Sequence, residues 1–162
     1  MKSVLCPPIV VSPDWLKRLA QDEQLAKRVE LLMTVPSVGV VTALTWALEV
    51  GEPQRFTSVA KACSYCGLTS AQKSSAGKEY RGPISKQRNK HLQRVLIEVA
   101  KLAPRLSPEL AAIHDREVER GNKNRATLAV ARKLVAYLLA VDKSGKPFES
   151  RREPAQAIEK AV

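Results

Sequence analysis

The sequence predicts an all-α domain, with a helix-hairpin-helix-like turn and a basic loop, on three observations. Every segment with a hydrophobic period fits 3.6 residues, and no run alternates usefully at 2. Aromatic residues make up only 4% of the chain, so the core must be assembled from Leu, Val, Ile and Ala, which suits packed helices. Starts and stops are written between the periodic segments, as Ser-Pro-Asp at 12–14, Ser-Pro-Glu at 107–109, and glycines at 51, 67 and 121.

A chain of 162 residues accommodates one domain. It divides into a lead-in and helix at 1–34, a helical unit at 35–141 and a mobile tail at 142–162. Pro7 and Pro8 keep the lead-in irregular; Ser12 as N-cap, Pro13 at the first helical position and Asp14 at the positive end of the dipole then open a helix to about Thr34. Its stripe of Leu16, Leu19, Ala26, Val29 and Met33 is interrupted by polar residues, which predicts loose packing or a helical partner. The turn Pro36-Ser37-Val38-Gly39 runs straight into an apolar helix ending at Val50. Gly51 and Pro53 terminate it, and a short helix from about Ser58 to Cys66 closes on Gly67. Further helices are expected from Ser107 to Gly121 and from about Asn124 to Val141, the latter turning Leu128, Ala131, Leu134, Val135 and Leu138 to the core. The Ser144-Gly145-Lys146-Pro147 run marks the tail.

Charge points to the partner. A net charge of +11 favours a polyanion, with nucleic acid first and an anionic membrane surface second. Residues 73–101 concentrate it, holding eight lysines and arginines against two glutamates. At its end and just beyond, Leu92, Val95, Leu96, Val99, Leu102 and Ala103 form a core-facing helical stripe. Lys86, Lys90, Arg94 and Lys101 fall on the opposite side, with Ile97 the one apolar exception. Four cations on one face suit a phosphate backbone, since each can release a counterion; composition alone is equally met by a solvated helix face. Lys123, Arg125, Arg132 and Lys133 make a second basic cluster. The turn at 35–43 has the shape in which backbone N–H groups at a helix N-terminus hold a DNA phosphate, with an ordinary interhelical turn as the alternative.

Three cysteines, Cys6, Cys63 and Cys66, are an odd number and fit a reducing compartment. Cys63 and Cys66 form a lone C-x-x-C, and His91 and His114 are not at finger spacing, so small buried residues are favoured over zinc or redox chemistry. No apolar run approaches the roughly 20 residues that span a bilayer, and residues 1–11 lack a long apolar signal segment. A cytoplasmic protein without a membrane partner is expected.

The order of motifs is more specific than any one of them. VPSVGVVTALTWALEVGEPQRF, then ACSYCGLTSAQKSSAGKEYRGPISKQRNKHLQRVLIEVA, then ATLAVARKLVAYLL together resemble the C-terminal half of a bacterial transposase family, the insertion sequence one-ten family related to Piv-type DNA invertases. The resemblance covers roughly residues 30 to 141. It implies a serine that attacks DNA and becomes covalently linked to it, at the position of Ser75, with Ser74 the close alternative. It places Lys78, Arg81 and Lys86 to clamp phosphates, joined in the expected DNA interface by Lys73, Arg88, Asn89, Lys90, Arg94 and Gly39. It also implies four metal-binding carboxylates, taking a divalent metal such as magnesium, in an N-terminal RNase-H-like domain, and a guide RNA that directs the enzyme to DNA.

None of the sixteen Asp and Glu sits in an apolar strand-like context, so no metal site is expected in this chain. It reads as a severed C-terminal half, DNA-binding but inactive alone, with the acidic half in trans or a homo-oligomer as possible partners. The alternatives are a non-enzymatic helix-hairpin-helix-like nucleic-acid-binding protein and an interaction module paired through its first helix. The family's Ser-Ser-Gly-Gly is Ser74-Ser75-Ala76-Gly77 here, its Lys-x-Gly-Asn is Lys86-Gln87-Arg88-Asn89, and its Pro-Gly-x-Gly is Pro36-Ser37-Val38-Gly39. Such losses remove the residue that adopts positive φ without strain.

Overall fold

The computed structural model describes residues 22–75, 78–84 and 88–149. Among these are six α-helices: α1 (Glu23–Leu32), α2 (Val40–Val50), α3 (Val59–Tyr65), α4 (Lys90–Leu102), α5 (Pro108–Glu119) and α6 (Lys123–Ser144). The fold is all-α in class, with one antiparallel ribbon of β1 (Ser70–Ser75) and β2 (Lys78–Ile84) inserted between α3 and α4. That ribbon departs from the expectation of a turn and basic loop. SAQKSS and KEYRGPI offer almost no hydrophobic alternation, so the usual signature of a half-buried strand is missing from the sequence.

Helix α6 is the central post. Its 22 residues span about 33 Å at 1.5 Å per residue, and it packs against α1, α3, α4 and α5. Asn122 caps its start, where Oδ1 accepts from the N–H groups of Asn124 and Arg125. Ala126, Val130, Ala131, Leu134, Val135, Leu138, Leu139 and Val141 are buried along it, more of its surface than one stripe because helices cover it on several sides. Trp46 from α2, Leu92 and Leu96 from α4, and Leu110 from α5 complete the same core, all at 0–1% exposure.

Three expectations shift. The first described helix begins at Glu23, capped by Asp22, whose Oδ1 accepts from Leu25 N–H at 3.0 Å; the start expected at Ser12 lies outside the described residues. It packs firmly, with Val29 and Leu32 in the core, whereas Met33 is 43% exposed. The stripe of α4 is Leu92, Leu96, Ala100 and then Ala103; Leu102 is exposed and Ile97 packs against the core. A prolyl turn at Ala103–Arg105 takes over from α4 at that point and swings Leu102 outward.

The third shift is at Asp142, expected to open a mobile tail. Its side chain is only 3% exposed and accepts a bidentate pair from Arg28, Nε to Oδ1 and Nη2 to Oδ2, both at 2.7 Å. Trp46 Nε1 also donates to Oδ2 at 2.9 Å, and Arg28 Nη1 donates to the carbonyl of Ala47 at 3.3 Å. One carboxylate therefore ties α6 to α1 and α2. Beyond it Gly145 caps α6 in the left-handed conformation, Phe148 stacks on Tyr137, and Phe148 N–H donates to Thr34 Oγ1. Residues 142–149 belong to the packed structure.

Removing one partner of a buried ion pair leaves the other charge uncompensated, at a cost of about 3–5 kcal/mol. Asp142→Ala is expected to lower the thermal midpoint by about 6–20 °C, at about 2–4 °C per kcal/mol for a chain of this size. Arg28→Ala should lose at least as much, because the charge it leaves without a counterion is the more deeply buried one, Asp142 at 3% exposure against 26% for Arg28. Thermal unfolding followed by circular dichroism measures both.

Candidate nucleic-acid interface

The hairpin that carries Ser74 and Ser75 grows from a fixed root. Helix α3 starts at Ser58, whose Oγ accepts from Lys61 N–H, and ends at Cys66, after which Gly67 turns the chain at φ +70°. Glycine is needed there twice over: the φ is left-handed, and a Cβ would stand 2.6 Å from Arg88 Cβ. Leu68 follows, fully buried, its N–H bonded to Cys63 O. The two carbonyls at this corner are taken by side chains from different helices. Gln93 Nε2 on α4 donates to Gly67 O at 2.7 Å, and Arg132 Nε on α6 donates to Leu68 O at 2.8 Å.

From that root β1 runs out and β2 returns. The register sets Ser75 opposite Lys78, Ser74 opposite Glu79, Lys73 opposite Tyr80 and Gln72 opposite Arg81. The ladder is irregular between Ser70 and Gln72, opposite the stretch holding Gly82 and Pro83, where the proline has no N–H to give. The predicted residues Lys73, Ser74, Ser75, Lys78 and Arg81 thus share one two-stranded ribbon.

The chain re-enters the helical body at Asn89. Its Oδ1 accepts from His91 and Leu92 N–H, its Nδ2 donates to Glu49 Oε2 and lies 3.4 Å from Tyr65 Oη, and its own N–H donates to Tyr65 O. Asn89, expected as a DNA contact, spends its side chain on capping α4 and holding α2 and α3 together. Lys90 and Arg94 are exposed on the first turns of α4, and Lys101 pairs with Glu98 at 2.9 Å. Lys86 lies outside the described residues. Arg88 packs its aliphatic stem over Gly67.

Gly39 sits elsewhere. It is the N-cap of α2, whereas the root touches α2 at Glu49, ten residues on and about 15 Å away along the helix. A Cβ on Gly39 would meet nothing within 4 Å, and neighbouring Ser37 takes a positive φ, +71°, a conformation that glycine adopts without strain. Ser37 Oγ is buried without a hydrogen-bond partner among the described residues.

Sequence reasoning missed Gln93 and the structural role of Arg132. Gln93 stands one helical turn beyond the cap Asn89, and only the three-dimensional position of Gly67 gives it a task. The other cations of the second cluster divide: Lys133 pairs with Glu109 at 3.2 Å, and Lys123 and Arg125 are exposed at the start of α6.

A profile of the transposase IS116/IS110/IS902 family matches residues 29–115. The chain belongs to this transposase family. It is 30% identical over 148 residues to the transposase for insertion sequence element IS1328 of Yersinia enterocolitica, covering 89% of this chain and 43% of that protein. It is also 30% identical over 122 residues to the insertion element IS110 uncharacterized 43.6 kDa protein of Streptomyces coelicolor, covering 75% of this chain and 30% of that one. The chain thus spans less than half the length of these two relatives. No helix among the described residues is long and apolar enough to cross a membrane.

The divalent metal that the family resemblance implies does not fit the described residues. No three His, Cys, Asp or Glu side chains converge among them, and the buried carboxylate Asp142 is already saturated by Arg28 and Trp46. The cysteines are equally unsuited. Cys63 and Cys66 are buried, and burial pushes both thiols up, Cys66 to about 12 with Cys63 beside it adding to the rise. A thiol that titrates near 12 carries almost no thiolate below pH 9. Both residues should resist iodoacetamide at pH 8 in the folded protein and react fully in denaturant, as mass mapping of the alkylated peptides will show.

Proposed function

We propose that this chain is the part of an insertion-sequence transposase that binds DNA and presents a nucleophilic serine to it, working in the cytoplasm. The observation that carries the reading is the hairpin: its register sets Ser75 directly across from Lys78, on a ribbon whose root is bonded to two helices. A serine nucleophile needs a defined position and nearby cations to hold the phosphate it attacks. The hairpin and the exposed first turns of α4 supply both, through Lys73, Lys78, Arg81, Lys90 and Arg94.

In the proposed step Ser75 Oγ attacks a DNA phosphorus, the phosphodiester bond to the leaving oxygen breaks, and the phosphate becomes esterified to the serine. The serine proton must go to a base, and cations that stabilise the phosphate do not remove it. We infer that the base function comes from the acidic RNase-H-like half, guided to its site by RNA, and that this chain alone binds DNA without joining to it.

A second reading has its own observation. The N-terminus of α2 at Gly39 has no side-chain cap and open space around the glycine, which suits a non-enzymatic helix-hairpin-helix-like phosphate contact. It lies away from the hairpin root, so the two contacts can be separated by mutation.

Binding to duplex DNA should be weak, sequence-tolerant and strongly salt-dependent. With about five phosphates engaged, the slope of log K against log salt is expected near −4.5, a loss of roughly 500-fold between 50 and 200 mM. A flat response in fluorescence anisotropy would remove the basic surface as the binding site. For the chemistry, a family RNase-H-like half and its guide RNA are added to the native chain, Ser74→Ala or Ser75→Ala, and covalent protein–DNA adducts are counted. Adducts should require the added half and vanish with Ser75→Ala; loss with Ser74→Ala alone moves the nucleophile by one residue.

A further inference from the structure

The segment between α2 and α3 holds an arginine that nothing above uses. Arg55 ends a prolyl turn, Pro53–Arg55, and its Cζ lies 4.6 Å from the ring centroid of Phe56 and 4.5 Å from that of Tyr65. The two rings are themselves 5.5 Å apart and tilted by 54°, so they form an angled seat on which the guanidinium rests. Such a seat holds the guanidinium carbon against two aromatic rings without using the group's N–H edge. Among the described residues no hydrogen bond or ion pair engages that edge, and Arg55 is exposed.

We propose that Arg55 is a phosphodiester-binding residue, oriented in advance by Phe56 and Tyr65. This rests on the DNA-binding reading and adds to it a contact outside the basic stretch at 73–101.

Three features support the assignment. The backbone that carries Arg55 is held on both sides: Pro53 fixes its own φ, Phe56 N–H donates to Pro53 O at 3.3 Å, and Lys143 Nζ donates to Phe56 O at 2.5 Å. The side chain has already given up its rotamer freedom to the stack, so less is lost when it binds. Arg55 is also continuous with the proposed interface. Tyr65 beneath it donates from Oη to Glu49 O at 2.9 Å, stands 3.4 Å from the cap Asn89, and accepts the Asn89 N–H at its own carbonyl, and Lys90 follows at the start of α4. The nearby Glu49 carboxylate is bonded to Asn89. The N–H donors that the rings leave unused suit an anionic acceptor, and in this family of proteins the phosphate backbone of DNA is the fitting polyanion.

The test is a salt series of duplex-DNA binding by anisotropy, run on the native chain, Arg55→Gln, Arg55→Lys and, as a control on α5, Arg116→Gln, with thermal unfolding of each. Arg55→Gln should reduce the magnitude of the salt slope by about 0.9 and shift the midpoint by only about 2–4 °C. Arg55→Lys should keep the slope and bind less tightly, and Arg116→Gln should match the native chain. A native slope retained by Arg55→Gln would overturn the inference while leaving DNA binding intact; failure of the native chain to bind at 50 mM salt would overturn the DNA reading itself. A second measurement covers a variant that does not fold: the Arg55 Nε–H resonance of the native protein should shift on titration with a short duplex, and an unmoved resonance overturns the contact.

Discussion

Asp142 has almost no water around it, and the position of everything else can be traced from that fact. A buried carboxylate must be fully bonded, and here a guanidinium fork from α1 and an indole N–H from α2 bond it in a geometry that tolerates little displacement. Such a pair is poor evidence of net stability, since desolvation offsets much of the attraction. Its directional effect is what matters: α6 can dock against α1 and α2 at only one height. Ten residues earlier on the same helix, about 15 Å away, Arg132 bonds the carbonyl of Leu68 at the root of the hairpin. A single rigid rod therefore connects the core lock to the ribbon that carries Ser75.

Helical periodicity made most of this legible in advance. The buried faces of α4 and α6 came from the spacing of Leu92, Leu96, Leu134 and Leu138, and the termini at Ser58, Gly67 and Ser107 were written in capping residues. Asp142 was misread because a polar residue near Gly and Pro looks like a tail, and nothing local tells of an arginine 114 positions away. The hairpin was missed for a related reason: its strands are polar in sequence, so they lack the hydrophobic alternation that marks a strand. Asn89 and Arg132 illustrate the limit at the candidate site. Motif position offers Asn89 as a DNA contact and charge sets Arg132 in a second basic cluster, and both have side chains engaged in bonding one element to another. Lys90 and Arg94, at the start of α4, remain exposed.

The DNA surface we propose is made of the hairpin, the first turns of α4 and Arg55, which lies over the Phe56 and Tyr65 rings. Gly39, at the far end of α2, is a separate place, which is why contact with DNA there would require a bound duplex to run along the length of that helix. Positive φ at Ser37 puts a serine in a conformation that favours glycine, at a local cost in strain.

The central claim is that DNA lies on the hairpin side of the molecule, and backbone amide hydrogen exchange with and without duplex DNA tests it most directly. The account predicts added protection across β1, β2, the first two turns of α4 and the Pro53–Arg55 turn, with α5 unchanged. Protection centred on α5, or confined to the start of α2 with the hairpin unaffected, would contradict it.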